Sequence, residues 1–469
     1  MTLSDGRRSP TKLRDLKIEE HPIASLALRR NNPRTHSEKQ IRQIAASIET
    51  FGFTNPVLID STSTVIAGHG RVRAAKQLGM DTVPTLQLEH LTDEQVRAYV
   101  IADNRLAECA GWDRDLLAIE LQGLAEIDLD FDLEVIGFET AEIDLLIGGG
   151  AEEGEPDPAD ASTGLDPGAP TVTRPGDSWQ IGPHRLLCAD ALDGASYTRL
   201  LGGQKAQLVF VDPPYNVRID GHVSGLGRAR HAEFAMASGE MSEAEFTAFL
   251  KKALTHHAAH STDGALHFVC MDWRHSGELL AASRSVYSEC KNLCVWVKTN
   301  AGMGSLYRSQ HELIYVFKVG TAPHINNVEL GRHGRSRSNV WRYAGVNSFG
   351  TERDEALAIH PTVKPVRMVA DAILDCSRRG GRVLDGFAGS GTTLLAAERT
   401  GRIGYGLEIE PRYVDAAIRR LAEHAGLKAS HIGSGQSFDE VAESRAGEMH
   451  DGSLSEPHSE PHNAAPDGA

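Results

Sequence analysis

The sequence predicts an α/β protein in which a small α+β domain precedes a larger domain built on a parallel β-sheet. Two kinds of pattern carry this prediction. In the C-terminal half, the apolar run Gln207–Val211 and the strand-like segments 382–384 and 403–407 each end at an acidic residue, as strands of a buried parallel sheet often do. Before residue 111, short strand-like segments alternate with capped helical patterns, which is typical of a small α+β domain.

The composition separates folded segments from segments that have little to bury. The chain has 469 residues, enough for two or three domains. Residues 148–175 are rich in Gly, Pro, Ala and acidic side chains, and the end of the chain is similar, so both are expected to be disordered. The predicted segments are a flexible N-terminus (1–18), an α+β domain (19–110), an acidic helical extension (111–147), a disordered linker (148–175), an α/β domain (176–425) and a disordered acidic tail (426–469).

Composition also bears on compartment and metal binding. No apolar run is long enough to span a bilayer, and the N-terminus has no apolar signal segment. A cytoplasmic protein with no membrane partner is therefore expected. The six cysteines do not show the spacing of zinc ligands, so no metal site is predicted.

The formal net charge of −16 is unevenly distributed. Residues 149–170 hold six acidic residues and no Lys or Arg, and residues 435–469 hold eight acidic residues and one Arg. These two segments carry 13 of the 16 excess negative charges, so the rest of the chain is nearly neutral. Because local patches decide the affinity for DNA, the overall charge does not exclude a nucleic-acid partner.

The N-terminal domain contains a glycine turn that leads into a helix. Ser37 and Gln40 begin a helical pattern that ends at Gly52. Two short strands follow, and the turn Gly68-His-Gly-Arg71 connects the second strand to the next helix. Such a turn offers unpaired backbone N–H groups to an anion. The plainer interpretation is that the glycines only tighten the turn and that Arg71 is a surface charge.

The stretch NNPRTHSEKQIRQIAASIETFGFTNPVLID, together with this turn and helix, resembles the ParB/sulfiredoxin-like domain. In that family the turn binds nucleotide phosphates or DNA-related ligands, so the resemblance implies CTP or another nucleotide as a partner. The sequence Gly-His-Gly-Arg departs from the family pattern of two adjacent arginines, and this departure argues against CTP hydrolysis. The candidate nucleotide-binding residues are Arg34, Gly68, His69, Gly70 and Arg71.

The first motif of the C-terminal domain is Asp212-Pro-Pro-Tyr215, directly after the apolar run. Open α/β sheets place ligands at the carboxyl ends of their strands, and two prolines make the turn rigid. The Asp212 carboxylate and the Pro213 carbonyl can accept N–H groups, and Tyr215 can stack on a ring, which suits a planar ring bearing an amino group. Alternatively, the motif only terminates a strand. The candidate catalytic residues are Asp212, Pro213, Pro214 and Tyr215.

The second motif is a glycine turn between the strand that ends at Asp385 and a helix. Gly389 and Gly391 allow a ligand to approach the backbone closely. The next strand ends at Glu408, 23 residues after Asp385, where an acidic residue commonly binds ribose hydroxyls. Position 394 is Leu, so the third glycine of the dinucleotide fingerprint is absent. The pattern therefore predicts a nucleoside ligand without a pyrophosphate.

Together the two motifs resemble the S-adenosylmethionine-dependent amino-methyltransferases of DNA, over residues 176–425. The catalytic motif precedes the cofactor motif, which is the order of the β group, and segments 184–190, 308–312 and 360–365 resemble further elements of that group. The resemblance implies a Rossmann-like fold and S-adenosyl-L-methionine as the cofactor. The cofactor-binding residues that it and the spacing indicate are Asp190, Thr362, Lys364, Asp385, Phe387, Gly389, Gly391, Thr392 and Glu408.

A ParB-like domain followed by this domain resembles phage and prophage DNA modification methylases, some of which belong to restriction-modification systems. An aspartate at position 212 favours the N6 amino group of adenine in double-stranded DNA, because N4-cytosine members more often have Ser there. Two alternatives stay open: an N4-cytosine methyltransferase, and a nucleotide- or DNA-binding regulator that uses the ParB-like domain. A homodimer is also possible, since dimers are common in the β group.

Two basic stretches, about 216–235 and 325–352, are predicted to be target-recognition loops. In them arginines alternate with Ser, Asn and aromatic residues, which suits contact with phosphates and base edges. The alternative is that both are ordinary exposed loops. The candidate DNA-binding residues are Arg218, Arg228, Arg230, Arg332, Arg335, Arg337 and Arg342.

Overall fold

A computed structural model describes the chain in two compact units, Met1–Gly149 and Gly150–Ala469. The described residues are 17–29, 31–109, 111–127, 129–148, 157–161, 165, 170–216, 239–299, 306–328, 337–344 and 363–451. Each unit has its own sheet and its own apolar core.

The N-terminal unit is of the α+β class. Its elements are β1 (Ile18–Pro22), α1 (Glu38–Phe51), β2 (Val57–Ile59), β3 (Val65–Ala67), α2 (His69–Gln77), β4 (Thr82–Gln87), α3 (Asp93–Cys109), α4 (Arg114–Glu126) and α5 (Thr140–Gly148). The described strands form a four-stranded sheet in the order β1-β4-β2-β3. Strand β2 runs parallel to β4, and the other neighbouring pairs are antiparallel.

The predicted helix between Ser37 and Gly52 is confirmed as α1. The Ser37 side chain accepts a hydrogen bond from the backbone N–H of Gln40 at 3.1 Å, and Gly52 ends the helix with a φ of 79°. Ile41 and Ala45 are buried in a small core cluster, so the apolar face of the helical pattern is the packed face.

The C-terminal unit is of the α/β class. Its elements are α6 (Pro158–Ala161), β5 (Ser178–Ile181), β6 (His184–Cys188), α7 (Gly194–Leu201), β7 (Ala206–Val211), α8 (Glu243–Ala259), β8 (Ser261–Met271), α9 (Ser276–Ser283), β9 (Glu289–Val297), β10 (His311–Lys318), β11 (Val340–Arg342), α10 (Val366–Cys376), β12 (Arg382–Asp385), α11 (Thr392–Arg399), β13 (Ile403–Glu408), α12 (Pro411–Ala425), β14 (Ala429–His431) and α13 (Phe438–Asp451).

The described strands of this unit form one ten-stranded sheet in the order β11-β9-β10-β8-β7-β12-β13-β6-β5-β14. The central strands β8, β7, β12, β13 and β6 are parallel, and antiparallel strands flank them. Leu208 and Phe210 lie in one core cluster and Val209 and Val211 in another, so β7 is buried on both faces. The predicted α/β class with a Rossmann-like sheet is confirmed.

The prediction of a disordered tail from residue 426 is wrong for residues 426–451. Strand β14 pairs antiparallel with β5, and helix α13 follows it. The Phe438 ring lies 5.4 Å from the fully buried Trp179 ring, and Arg445 Nη1 lies 2.5 Å from Asp177 Oδ2. Although the segment is acidic in composition, the Phe438 ring and the Arg445 guanidinium attach it to the domain.

The predicted linker 148–175 also contains residues that pack on the C-terminal unit. Asp160 accepts a hydrogen bond from the backbone N–H of Val366 at 2.8 Å. Asp415 of α12 accepts hydrogen bonds from the N–H groups of Val172 and Thr173 at 2.7 and 3.0 Å. These bonds are buried, so residues 158–161 and 170–175 belong to the fold, which their Gly- and Pro-rich context did not indicate.

The described residues contain neither a candidate membrane span nor a candidate metal site. None of the described helices combines the length and the apolar character needed to cross a bilayer. In the same part of the chain, no group of three or more His, Cys, Asp or Glu side chains is arranged to hold a metal ion.

Candidate active site

The candidate site lies at the carboxyl edge of the parallel strands. Strand β7 ends next to Asp212, β12 ends at Asp385, and β13 ends at Glu408. These strands are direct neighbours and run in one direction, so their carboxyl ends meet at the same edge. Asp190 follows β6, the next strand along the sheet. The topology therefore brings four acidic residues, which the sequence analysis selected separately, to one edge.

The catalytic motif forms a closed turn after β7. The Tyr215 hydroxyl donates a hydrogen bond to Asp212 Oδ1 at 2.5 Å. Asn216 has a φ of 54°, and its side-chain oxygen accepts hydrogen bonds from the N–H groups of Gly239 and Met241 at 3.1 and 3.2 Å. The Asn216 amide also donates to the Met241 carbonyl at 2.8 Å. The backbone beyond the motif is thus tied to the segment that precedes α8.

The Asp212 carboxylate also belongs to a network of ion pairs that the sequence analysis did not foresee. Lys364 Nζ lies 2.5 Å from Asp212 Oδ2 and 3.1 Å from Glu312 Oε2. Lys298 Nζ lies 2.5 Å from the other Glu312 oxygen, Oε1. The sequence indicates the segment that ends at Glu312 only through its resemblance to the β group, without a role for Glu312 itself. No sequence pattern indicated Lys298, because it follows β9, far along the chain from the Asp212 turn after β7.

Burial and charge act in opposite directions on the pKa values of this network. Burial raises the pKa of Asp212, an effect that the Lys364 ammonium opposes and the Glu312 carboxylate reinforces. Burial would also raise the pKa of Glu312, but Lys364 and Lys298 outweigh it and lower the pKa to about 2. Glu312 is therefore ionised, and the neighbouring carboxylates raise the pKa of Lys364 despite its burial.

The glycine turn after β12 is held by the acidic residues on either side of it. Asp385 accepts hydrogen bonds from the Phe387 N–H at 2.9 Å and from the Thr393 hydroxyl at 2.6 Å. Glu408 accepts a hydrogen bond from the Gly389 N–H at 2.8 Å. Gly391 has a φ of 80°, and a Cβ atom there would lie 2.8 Å from the Ala417 Cβ atom of α12. Only glycine fits this turn, because both the conformation and the packing exclude a side chain.

The residues of this edge fit S-adenosylmethionine. Asp385 and Glu408 are only 4% and 8% exposed, and burial raises the pKa of each to about 7. Each carboxylate accepts two hydrogen bonds from the protein, while an ionised carboxylate offers about four acceptor positions. The remaining positions suit the ribose hydroxyls, and the buried negative charge suits a cationic ligand.

Other predicted cofactor residues have partners within the protein. The Thr392 hydroxyl accepts a hydrogen bond from Arg420 Nη1 at 2.8 Å, which ties α11 to α12. Asp190 Oδ1 accepts one from the Leu192 N–H at 2.8 Å. The Lys364 ammonium forms an ion pair with Asp212. Thr362 lies outside the described residues. Cofactor contact by these residues stays a prediction.

The predicted DNA-binding arginines fall into three groups. The Arg337 guanidinium lies 3.0 Å from Asp371 and 2.8 Å from Asp375, and it donates a hydrogen bond to the Tyr343 hydroxyl at 3.1 Å. It therefore holds the segment before β11 against α10, and its contact with DNA stays a prediction. Arg342 is exposed at the end of β11. The other five lie outside the described residues: Arg218, Arg228, Arg230, Arg332 and Arg335.

The predicted nucleotide turn of the N-terminal unit caps α2. Gly68 has a φ of 99°, and His69 is buried with its Nε2 atom lacking a hydrogen-bond partner among the described residues. Burial lowers the pKa of His69. The Arg71 guanidinium donates hydrogen bonds to the Asn55 and Pro56 carbonyls at 2.6 and 3.1 Å, so it is anchored beside the turn.

Gly70 and Arg34 complete that prediction. A Cβ atom on Gly70 would lie 3.0 Å from the Ile44 side chain and 3.1 Å from the His36 ring, so a larger residue there would make these side chains shift. The Arg34 N–H donates a hydrogen bond to the Asn32 side chain at 3.1 Å.

Matches to known families cover both units. The DNA methylase family matches residues 206–419, and the ParB N-terminal domain matches residues 7–105. The ParB-methyltransferase HTH domain matches residues 115–175. That third match covers the segment in which the sequence analysis expected only an acidic helical extension and a linker.

Individual relatives resemble different parts of the chain. The ParB-like nuclease domain-containing protein YnaK of Escherichia coli (strain K12) is 54% identical over 80 residues, which are 17% of this chain and 92% of YnaK. The DNA adenine methyltransferase YhdJ of the same organism is 27% identical over 250 residues, 49% of this chain and 80% of YhdJ. The type II methyltransferase M.ScaI of Streptomyces caespitosus is 36% identical over 92 residues, 20% of this chain and only 30% of M.ScaI.

The fold, the site and these matches define a methyltransferase unit preceded by a ParB-type unit. Residues 206–419 belong to the DNA methylase family, and ParB-type domains match the chain before them. S-adenosyl-L-methionine is the cofactor of this family.

Proposed function

We propose that this protein transfers a methyl group from S-adenosylmethionine to the N6 amino group of an adenine flipped out of duplex DNA, at a specific sequence. The observation that carries the proposal is the turn Asp212–Tyr215 at the carboxyl end of β7. Asp385 and Glu408, which suit the cofactor, end the next two strands along the same edge. The amino group and the methyl donor can therefore bind side by side.

The residues of the turn make a weak nucleophile reactive. The lone pair of an exocyclic amine is delocalised into the ring. Asp212 and the Pro213 carbonyl each accept one N–H, which favours a tetrahedral nitrogen with its lone pair out of the ring plane. Tyr215 stacks on the flipped base, and Pro214 keeps the turn rigid. Positioning and electrostatics supply most of the rate acceleration.

The transfer balances without an enzyme-bound intermediate. The sulfonium of S-adenosylmethionine supplies an already activated methyl group. The nitrogen–methyl bond forms as the sulfur–methyl bond breaks, and the nitrogen gives up one proton. Asp212 can accept that proton, since burial raises its pKa. Flipping the base out of the duplex costs a few kcal/mol, which binding to the protein offsets.

Adenine is proposed over cytosine because Asp, and not Ser, stands at position 212. YhdJ, which resembles half of this chain, is named a DNA adenine methyltransferase. The match to a family that includes both N6 and N4 enzymes supports the amino-methyltransferase class but does not choose between the bases.

The test is to express the protein in a methylation-deficient host and sequence the plasmid DNA by a single-molecule method. Methyl-adenine at one short sequence is the expected result, and methyl-cytosine would support the N4-cytosine alternative. Asp212→Ala should abolish the modification while S-adenosylmethionine binding by calorimetry is retained. No modification by a folded, cofactor-binding protein would favour the regulator, and near-normal modification by Asp212→Ala would refute the mechanism.

The N-terminal unit supports a second proposal, that the turn Gly68–Arg71 binds CTP or another nucleotide. The left-handed Gly68 begins α2, and the buried His69 Nε2, which has no hydrogen-bond partner in the described part of the chain, can bond to a ligand. Calorimetric titration of CTP, ATP and GTP into the full chain tests this, with Gly68→Ala as the variant that should lose binding. Sedimentation of the same samples tests the homodimer that the β-group resemblance suggests.

A further inference from the structure

The ion-pair network at the catalytic turn has four members in a row: Lys298, Glu312, Lys364 and Asp212. The Lys364 side chain is 4% exposed and Glu312 is 13% exposed, so the centre of the row is shielded from water. The two lysines and two carboxylates balance in charge. The row therefore can be buried without leaving a net charge in the site.

Within this row, both oxygens of Asp212 are engaged by the protein. The Lys364 ammonium binds Oδ2, and the Tyr215 hydroxyl donates to Oδ1, each at 2.5 Å. An ammonium in contact neutralises the carboxylate and occupies the space beside it. A target amino group that is to donate to Asp212 therefore approaches a carboxylate whose charge Lys364 already neutralises.

Glu312 offers a second acceptor to both of these donors. Its Oε2 atom lies 3.1 Å from Lys364 Nζ and 3.4 Å from the Tyr215 hydroxyl. Its other oxygen is held by Lys298 at 2.5 Å, so the carboxylate is fixed in place. Lys364 and Tyr215 can consequently move from Asp212 to Glu312 through a small displacement, and neither loses its partner.

We propose that Glu312 is a positioning residue that draws Lys364 and Tyr215 away from Asp212 when the target amino group enters the site. Before the base arrives, Lys364 keeps the buried Asp212 charge paired. After it arrives, the pair Lys364–Glu312 remains and Asp212 is free to accept the amino N–H. This inference rests on the proposed amino-methyltransferase function and adds a role for two residues outside the catalytic motif.

The test compares Glu312→Gln with the double variant Glu312→Gln/Lys364→Gln in methyl transfer to DNA carrying the sequence identified by plasmid sequencing. In Glu312→Gln the ammonium loses its second carboxylate and stays on Asp212, so kcat/KM for DNA should fall at least tenfold, the size expected for one charged hydrogen bond. Affinity for S-adenosylmethionine should not change. Removing the ammonium as well should restore part of the lost activity, which a merely structural role would not do.

Three further variants make the result decisive. Glu312→Asp keeps the charge and should retain more activity than Glu312→Gln. It also allows the test if Glu312→Gln does not fold. Lys291→Gln removes an exposed lysine of β9 that pairs with Glu289 at 3.1 Å, and it serves as the matched control. Lys364→Gln alone, titrated with S-adenosylmethionine, tests the predicted cofactor contact of Lys364 separately from its contact with Asp212.

The outcomes separate this inference from the proposed function. If the wild type methylates DNA but the folded double variant is no more active than Glu312→Gln, the positioning role is refuted and the proposed function stands. If the wild type modifies no DNA, the proposed function fails, and this inference fails with it.

Discussion

The backbone N–H of Gly389 donates a hydrogen bond to Glu408 Oε2, with 2.8 Å between the two atoms. This bond joins the end of β13 to the glycine turn that follows β12. The carboxylate that is expected to bind the ribose is therefore also the group that holds the turn beneath the cofactor. Substitutions at Glu408 and in the turn should affect the same binding event.

The affinity for S-adenosylmethionine should rise with pH through about 7. Burial raises the pKa of the free Glu408 carboxyl to about 7, and hydroxyl donors favour its ionised form. Binding should therefore release a proton, and the affinity should grow by up to about tenfold per pH unit below the pKa and level off above it. Calorimetry across this pH range measures the effect. Glu408→Gln should bind more weakly and show a shallower dependence, and an unchanged slope would contradict the assignment.

The same carboxyl should act oppositely on the stability of the ligand-free protein. Its pKa is raised above the unfolded value, so the folded state binds the proton more tightly than the unfolded state. The contribution of Glu408 to the unfolding free energy should thus be full below about pH 4.5 and decline as the pH rises toward 7. Thermal unfolding of the wild type and of Glu408→Gln should converge at low pH. A constant difference would refute this.

Gly391→Ala should destabilise the methyltransferase unit more than Gly426→Ala. Both glycines have positive φ, at 80° and 66°, so both substitutions incur the cost of a left-handed conformation, about 1–2 kcal/mol. At Gly391 the added Cβ also lies 2.8 Å from the Ala417 Cβ, whereas at Gly426 nothing lies within 4 Å. Overpacking should add about 1–3 kcal/mol to the loss at Gly391.

Two separate measurements check this pair of variants. Denaturant unfolding gives their unfolding free energies, and titration of the folded proteins with S-adenosylmethionine gives their cofactor affinities. Gly391→Ala should also lose cofactor affinity, because α11 and the turn must shift away from α12. Gly426→Ala is the matched control and should bind normally. Equal losses of stability in the two variants would show that strain alone, and not the contact with Ala417, makes the glycine necessary.

Arg337→Gln should lower the stability of the fold, whereas Arg342→Gln should affect only DNA binding. Arg337 is 20% exposed and pairs with Asp371 and Asp375, so its removal leaves two carboxylates near each other and should cost about 2–4 kcal/mol of unfolding free energy. Arg342 is exposed, and its removal should leave stability unchanged. If Arg342 contacts a phosphate, its loss should reduce the salt dependence of DNA binding by about one ion.

Thermal unfolding and DNA binding at several salt concentrations distinguish the two arginines. A stable Arg337→Gln variant with weakened DNA binding would support the predicted role of Arg337 as a DNA contact. An Arg342→Gln variant that binds DNA with unchanged salt dependence would remove Arg342 from the interface.

Arg445→Gln should destabilise the C-terminal unit at neutral pH. Arg445 is 14% exposed and pairs with Asp177, which is 12% exposed, so the lost bond should cost about 1–3 kcal/mol. Although burial tends to raise it, the pKa of Asp177 is lowered by Arg445 and by hydrogen bonds. The stabilisation is therefore present above about pH 4 and disappears as the pH falls through the lowered pKa.

The control for Arg445 is Arg412→Gln on α12. Arg412 is 64% exposed and lies 3.3 Å from Glu410, so its loss should change the unfolding free energy by less than about 0.5 kcal/mol. Thermal unfolding of both variants against pH is the measurement. Equal effects would mean that the Arg445–Asp177 pair adds no more to stability than an exposed ion pair.

The positions of the main site residues could be predicted because each depends on local sequence. Asp212, Asp385 and Glu408 each stand at the end of an apolar strand, and parallel strands bring their ends to one edge. Gly389 and Gly391 could be predicted as glycines that let a ligand approach the backbone, and the structure shows that Gly391 also has a φ of 80°. The structure adds the contact with Ala417, which lies on a later helix.

The partners of charged side chains could not be predicted. Arg337 stands in a stretch whose composition suits DNA, yet its guanidinium is paired with two aspartates of α10. Arg445 stands in an acidic segment that resembles a tail, yet it binds Asp177. Both cases require knowledge of which carboxylate lies opposite the side chain, and that depends on residues far away in the chain.

The sequence by itself determined the order of the two units, the strand ends that carry Asp212 and Asp385, and the family to which residues 206–419 belong. These properties follow from apolar periodicity and turn residues, which act over a few positions. Only the tertiary structure decided that Lys298, Glu312, Lys364 and Asp212 form one row of ion pairs. Ion pairing acts through space between separate strands and loops, so no local pattern records it.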